Sequence, residues 1–230
     1  MALTAVALTT VDALRTHLCA SDSALSDPRA ESLIIAASRE LMRLAGGRHF
    51  ERGAGLVHDV EGYGTQEISA PRFPIASITS VALLSASDGT VTSTYDSTDY
   101  RISNAEAGLV YRAYGWPWTT ISGDSIRGGG APGHEAKLIR LTYDAGWITP
   151  HQATAAGGSL GARDLPEDIE QACLDGAALL YHQDGRDRSI TSERLGNASV
   201  TYAASSLTQG GSWLPMSAQA VALAYWGPGL

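Results

Sequence analysis

The chain has 230 residues, of which 44% are hydrophobic and 17% charged, and its formal net charge at pH 7 is -8. This composition indicates a globular protein that can bury its own core, and the negative charge disfavours nonspecific binding to DNA phosphates as the main activity. No apolar run reaches the roughly 18 residues that a membrane helix needs, and the N-terminus lacks the basic segment of a secretory signal. We therefore expect a protein that is made in a cytoplasm and does not contact a membrane.

Two helices are predicted at the start of the chain. The first covers residues 10–19, with Thr9 as its N-cap. The second covers residues 28–45, with Asp27 as its cap and Pro28 at the first helical position. Its apolar stripe consists of Leu33, Ala37, Leu41 and Leu44.

From about residue 56 to 147 the hydrophobic period changes from helical to strand-like, and turn-forming residues separate the runs. Candidate strands are 56–60, 66–70, 78–84, 90–95, 100–102, 109–113 and 137–143. The segment 122–134 is rich in glycine and is predicted to be a mobile loop between two of these strands.

The third helix is predicted over residues 166–182, with Pro166 in its first turn. Apolar side chains occupy most of its sides, which is typical of a helix buried in a bundle or at a subunit contact. Gly176 in its middle costs about 1 kcal/mol relative to alanine, so we expect another helix to approach closely there. A strand over 198–203, a polar spacer and a short helix over 215–226 follow.

Together these elements predict an α+β protein. Its architecture would be a small bundle of three main helices, with an inserted antiparallel β domain and an extended C-terminal tail that ends in a short helix. The predicted domains are a helical core at 1–50 and 164–203, a β domain at 51–148, a linker at 149–163 and a tail at 204–230. Because the tail helix is short and follows a flexible spacer, we expect it to become ordered on a partner and to be removable without unfolding the rest.

The sequence contains no residue pattern that is typical of catalysis. The six histidines show no metal-ligand spacing, and the glycines at 128–130 are not followed by the Lys-Ser/Thr pair of a phosphate-binding loop. No GxSxG motif surrounds a serine. Cys19 and Cys173 are far apart in the sequence and are expected to be small buried side chains. We expect no enzyme, no cofactor and no bound metal.

An aromatic cluster is the basis of an alternative function. Tyr111, Tyr114, Trp116 and Trp118 lie close together in the sequence. Exposed rings of this kind could form a carbohydrate- or ligand-binding platform in the β domain. Alternatively, the tryptophans could seal the edge of the sheet.

Three arginines follow the third helix, namely Arg186, Arg188 and Arg194. They could belong to a solvated loop. They could also form an interface loop, in which planar guanidinium groups meet carboxylates on a neighbouring subunit.

The order of several short motifs resembles the head-tail connector, or adaptor, proteins of long-tailed bacteriophages. The motifs are TTVDALRTHL, ESLIIAASRELM, APRFPIASITSV, IRLTYDAGW, LPEDIEQACLDGAALLY, GRDRSITSERLGNASVTY and LPMSAQAVALAYW. The resemblance implies a structural protein of the virion neck, without catalysis. It also implies a ring of copies, usually twelve-fold, that binds beneath the portal protein and continues the DNA channel. A stopper or tail-completion protein would dock below, and double-stranded DNA would pass through without sequence-specific contacts.

By position, the resemblance also implies two contact surfaces. The subunit interface would contain Ile169, Leu174, Leu180, Tyr181, Arg186, Arg188 and Arg194. The portal-binding segment would contain Trp213, Leu214, Met216, Leu223, Tyr225 and Trp226.

Overall fold

The computed structural model describes residues 6–85, 88–117, 138–157, 160–183, 192–195, 198–201 and 211–226, with the backbone alone for the ranges 192–195 and 198–201. These residues form two compact units. A helical unit contains the chain up to Glu51 and from Trp147 onward, and a β unit runs from Arg52 to Gly146. The α+β fold, with its antiparallel sheets and its C-terminal helix, confirms the predicted fold class.

The five described helices of the helical unit are α1 (Val11–Leu18), α2 (Asp27–Leu44), α3 (Pro150–Ala155), α4 (Glu167–Gln183) and α5 (Met216–Ala224). Four of them, namely α1, α2, α4 and α5 in chain order, share one apolar core. Helix α4 packs against α1, α2 and α5. Fully buried side chains at their contacts include Leu14, Ile34, Leu41, Ile169, Ala177 and Leu214. Burial of about 25 cal/mol per Å² of apolar surface is the main source of stability in such a core.

Two helix caps differ from the prediction by one residue. The N-cap of α1 is Thr10, whose hydroxyl oxygen accepts a hydrogen bond from the Ala13 N–H at 3.2 Å. Thr9 is buried and donates instead to the Glu170 carboxylate at 3.0 Å. The N-cap position of α2 is Ser26, which makes no capping hydrogen bond through its side chain, and Asp27 is the first helical residue. A carboxylate at that position still interacts favourably with the helix dipole.

Helix α3 lies inside the segment 149–163 that the sequence analysis describes as a linker. Thr149 and Gln152 form a reciprocal capping box, in which each side chain bonds to the backbone N–H of the other at 3.2 Å. The sequence Thr-Pro-His-Gln contains this signal, because a Thr followed three residues later by Gln is typical of a helix start.

The β unit contains two antiparallel sheets. Its strands are β1 (Gly53–Val60), β2 (Glu67–Ser69), β3 (Ile75–Leu84), β4 (Val91–Thr94), β5 (Tyr100–Asn104), β6 (Leu109–Arg112) and β7 (Ile139–Ala145). The first sheet has the order β1-β7-β3-β4 and the second the order β2-β6-β5. Strand β7 alternates strictly between buried and half-buried side chains, as a strand with one face on a core should. The core of the β unit includes Val81, Val110, Trp116, Ile139, Leu141 and Tyr143.

A further hairpin follows α4 in the chain. Strands β8 (Ser192–Leu195) and β9 (Ala198–Thr201) pair antiparallel, from Ser192 opposite Thr201 to Leu195 opposite Ala198. The sequence predicted a strand over 198–203 but not its partner β8.

Candidate interaction surfaces

The inner face of α5 belongs to the core of the helical unit. Leu214, Ala218 and Ala222 are between 0% and 1% exposed. Gly176 of α4 lies directly beneath Leu214, and a Cβ atom added at Gly176 would be 2.5 Å from Leu214 Cδ2. The glycine therefore permits the close approach that the sequence predicted, and the partner at this position is the C-terminal segment.

The end of α5 is held by an aromatic and polar cluster. The Tyr225 ring meets Phe50 and Trp147 edge-on, with ring centroids 6.2 and 5.9 Å apart. Its hydroxyl donates to the Asp168 carboxylate at 3.0 Å, and its backbone carbonyl accepts from Arg48 at 3.0 Å. Edge-to-face aromatic pairs add about 0.5–1.5 kcal/mol beyond area burial, so this contact fixes the helix in one place.

The outer face of α5 is apolar and exposed. Met216, Leu223 and Trp226 are 67%, 60% and 56% exposed, and Ala220 between them is exposed as well. These residues recur at intervals of three or four, which places them along one side of the helix and its C-terminal end. The helix contains no charged residue. We call Met216, Ala220, Leu223 and Trp226 the outer apolar face. A helix that is apolar on both sides is typical of burial within an assembly.

The six residues that are predicted to bind the portal fall into two groups in the structure. Leu214 is fully buried, and Trp213 and Tyr225 are half-buried against the helical core. Leu214 is therefore an internal contact, whereas Trp213 and Tyr225 pack only in part against their own unit, so their assignment to a portal contact stays a prediction. Met216, Leu223 and Trp226 remain available on the surface.

The predicted subunit-interface residues of α4 are also largely internal. Ile169 is 1% and Leu174 8% exposed, because α4 packs in the middle of its own bundle. Leu180 and Tyr181 are half-buried, and the Arg29 guanidinium lies 5.6 Å above the Tyr181 ring. Ile169 and Leu174 therefore present no surface to another copy. Arg186 and Arg188 lie outside the described residues, and only the backbone of Arg194, in β8, is described.

Trp116 is part of the core of the β unit and does not form an exposed platform. It is 2% exposed, its indole N–H donates to the Val110 carbonyl at 3.2 Å, and Tyr95 meets it edge-on at 5.7 Å. Tyr114 is 87% exposed, and Trp118 lies outside the described residues. The alternative of a binding platform that uses Trp116 is therefore wrong, because a buried ring cannot stack on a ligand.

We expect Trp116→Phe to lower the free energy of unfolding by about 1–3 kcal/mol, since the substitution leaves a small cavity and removes the indole hydrogen bond to the Val110 carbonyl. Chemical denaturation of the two proteins measures this difference. An unchanged midpoint would show that the ring contributes little to the core.

The two cysteines differ in environment, which corrects the expectation that both are buried. Cys19 is exposed, whereas Cys173 is fully buried near the Ser38 hydroxyl at 3.4 Å. Burial raises the pKa of the Cys173 thiol to about 12. Only a thiolate reacts readily, so Cys173 is chemically inert in the folded protein. Among the described residues, no group of three or more His, Cys, Asp or Glu side chains is placed to hold a metal ion.

A thiol reagent at pH 8 should therefore modify one cysteine per native chain and two in denaturant. Cys19→Ser should remove the fast reaction completely. Reaction of Cys173 at a comparable rate in the native protein would contradict its placement in the core.

No described helix is both long and apolar enough to cross a membrane.

The sequence matches no protein-family model and no curated protein. Two solved structures are similar in part. One is the neck of an empty gene transfer agent particle, with a TM-score of 0.49, 17% identity and 85% of each chain covered. The other is the virion of a native gene transfer agent particle, with a TM-score of 0.48 and 17% identity, covering 81% of this chain and 84% of the other. Similarity at this level does not establish a shared function.

Proposed function

We propose that the chain is a non-catalytic structural protein of the neck of a tailed-phage particle. In this role it is a head-tail adaptor, whose copies form a ring under the portal protein, extend the DNA channel and provide the docking surface for the tail or stopper. One observation carries the proposal: α5 packs one apolar face into its own core and leaves a second apolar face exposed. Exposed apolar patches on a folded protein mark surfaces that bind other proteins.

The outer apolar face is the portal contact in this proposal. The resemblance to adaptor proteins implies that the C-terminal segment engages the portal. Met216, Leu223 and Trp226 are large, exposed and free of charged neighbours within α5. Large apolar and aromatic anchors of this kind supply most of the binding energy in protein interfaces.

The negative charge of the chain favours a channel through which DNA passes without binding to the wall. The formal net charge is -8, and a ring of such chains repels the phosphates of a duplex that runs through it. Repulsion of this sort lets DNA slide through a channel without sequence-specific contacts. The twelve-fold ring that the resemblance implies would multiply this charge around the axis.

Electron microscopy of the purified chain mixed with purified portal rings tests the proposal. We expect an additional ring of density on one face of the portal, with the same symmetry axis. Portal rings that stay unchanged at micromolar concentrations of the chain would contradict the proposal.

A further inference from the structure

The outward face of the second sheet carries a row of three side chains, one from each strand. Glu67 of β2 lies directly opposite Tyr111 of β6, and Tyr111 lies directly opposite Arg101 of β5. Directly opposite residues of an antiparallel sheet share one face, and here Glu67 and Arg101 are exposed while Tyr111 is half-buried. The next row along the strands points to the other face and packs in the core of the β unit; it consists of Ile68, Val110 and Ile102.

The two ends of this row carry opposite charges that are not neutralised within the described chain. The Glu67 carboxylate and the Arg101 guanidinium form no ion pair or hydrogen bond with another described side chain. They are two strand spacings apart, which is about 10 Å and too far for a direct pair. The Arg101 guanidinium instead lies 5.0 Å from the centroid of the Tyr111 ring. The row therefore has an acid at one end, an aromatic ring in the middle and a base at the other end.

The middle strand adds a second apolar side chain to the same face. Leu109 precedes Tyr111 by two residues, so it points to the outward face, and it is half-buried as well. Ser69 lies directly opposite Leu109 on β2 and is small and exposed, so it does not cover the leucine. An apolar line along β6 is thus flanked by an acid on β2 and a base on β5.

This face is complementary to itself. When a second copy is placed face to face and related by a two-fold axis parallel to β6, Arg101 of the partner copy faces Glu67, and Glu67 of the partner copy faces Arg101. Tyr111 and Leu109 then each face the same residue of the other copy. A two-fold axis across the strands would instead place Glu67 on Glu67, and like charges in contact oppose association. The charges therefore select one arrangement, in which residue i meets j and j meets i, as in isologous dimers.

We infer that the outward face of β2, β6 and β5 is a two-fold docking surface for a second copy of this chain. Sheets stack face to face at about 10 Å with their strands within about 30° of each other, and a two-fold axis parallel to β6 gives this alignment. The face is only three short strands wide, so the buried area stays below the roughly 1,200 Å² of standard interfaces, and the dimer is weak and transient.

This contact is different from the ring contact of the proposed function. Contacts around a ring are head-to-tail and join two different surfaces, whereas this contact joins one surface to itself. The inference goes beyond the proposed function and does not depend on it.

Sedimentation and ¹⁵N NMR spectra of the full chain test the dimer as the concentration is raised from about 10 μM to about 1 mM, the range in which weak contacts become populated. We expect the average mass to rise towards that of a dimer. The amide signals that shift should belong to β2, β5 and β6. A chain that stays monomeric over this range, or signals that shift only elsewhere, would overturn the inference.

Charge reversal identifies the surface. Glu67→Arg and Arg101→Glu each place like charges opposite one another, and the two-fold axis doubles the effect, so each variant should dimerise at least about tenfold more weakly. Both substitutions in one chain restore opposite charges and should restore the dimer. An equimolar mixture of the two single variants should form a mixed dimer for the same reason.

Glu106→Arg is the matched control for Glu67→Arg, because Glu106 is an exposed acid in the turn between β5 and β6. It should dimerise like the wild type. The formal net charge of the chain is -8, so Glu67→Arg lowers the general repulsion between copies, and a weaker dimer of this variant cannot arise from net charge.

The inference is wrong if the single variants dimerise like the wild type, or if neither the double variant nor the mixture associates. None of these measurements involves the portal. A chain that stays monomeric but adds a ring to the portal would leave the adaptor function standing, and a chain that dimerises as expected but adds no ring would leave the docking surface standing.

Discussion

A chain that ends at Gly211 is expected to lose the folded structure of its helical unit. The truncation removes the buried side chains of Leu214, Ala218 and Ala222 and exposes the faces of α2 and α4 that they cover. At about 25 cal/mol per Å² of apolar surface, the loss amounts to roughly 5 kcal/mol or more, which is comparable with the total stability of many domains. Circular dichroism during thermal unfolding measures the effect. This expectation replaces the one drawn from sequence, in which the tail could be removed without unfolding the rest.

Two further proteins show whether the effect arises from the inner face of α5. A chain that ends at Trp226 keeps every described residue of α5 and should unfold like the full-length protein. Leu214→Ala should lower the free energy of unfolding by about 2–5 kcal/mol, as for other buried leucines. A cooperative transition at an unchanged temperature in the chain that ends at Gly211 would mean that α5 does not stabilise the unit.

The second large effect is expected in binding rather than in stability. Met216→Glu with Leu223→Glu places two charges on the outer apolar face, where both side chains are more than half exposed. Surface substitutions of this kind change the free energy of unfolding by about 0.5 kcal/mol or less. Loss of two interface anchors, however, costs more than 1 kcal/mol each, and burying the new charges adds to this. We expect binding to portal rings to fall by about a hundredfold or more.

Val91→Glu is the matched control, because Val91 is a similarly exposed apolar residue (52%) that lies in β4 of the β unit. It should bind portal rings like the wild type. Binding is measured by cosedimentation with the rings over a range of concentrations. If the double variant and the control bind equally well, the outer apolar face is not the portal contact.

The predictions from sequence were most accurate for segments in which the hydrophobic pattern continues over many residues. Helices α2 and α4 extend over nearly the residues predicted for them, and each of the seven predicted strands of the β unit overlaps an observed one. Gly176 correctly indicated a close approach. A glycine within a helix costs stability, and close packing against the space that a side chain would fill offsets this cost. Local signals of this kind depend on a few neighbouring residues and are therefore present in the sequence.

The assignment of side chains to surfaces could not be predicted in the same way. Leu214 and Leu223 are both leucines of one short segment, yet one is 0% and the other 60% exposed. Which of them faces the core depends on where α5 docks, and that position is set by distant partners such as Gly176 and Phe50. The same holds for Trp116, whose neighbourhood in the sequence resembles a platform although the folded chain buries the ring. Helix α3, by contrast, was missed although its capping box is visible in the sequence.

Hydroxyl-radical footprinting of the free chain and of assembled necks tests most directly whether the outer apolar face joins this protein to a larger assembly. Met216 and Trp226 are both readily oxidised side chains, and both are exposed in the single chain. In the assembled neck we expect their oxidation to fall close to background, while the oxidation of buried Trp116 stays low in both samples. Rates for Met216 and Trp226 that are the same in the free chain and in the neck would contradict the account.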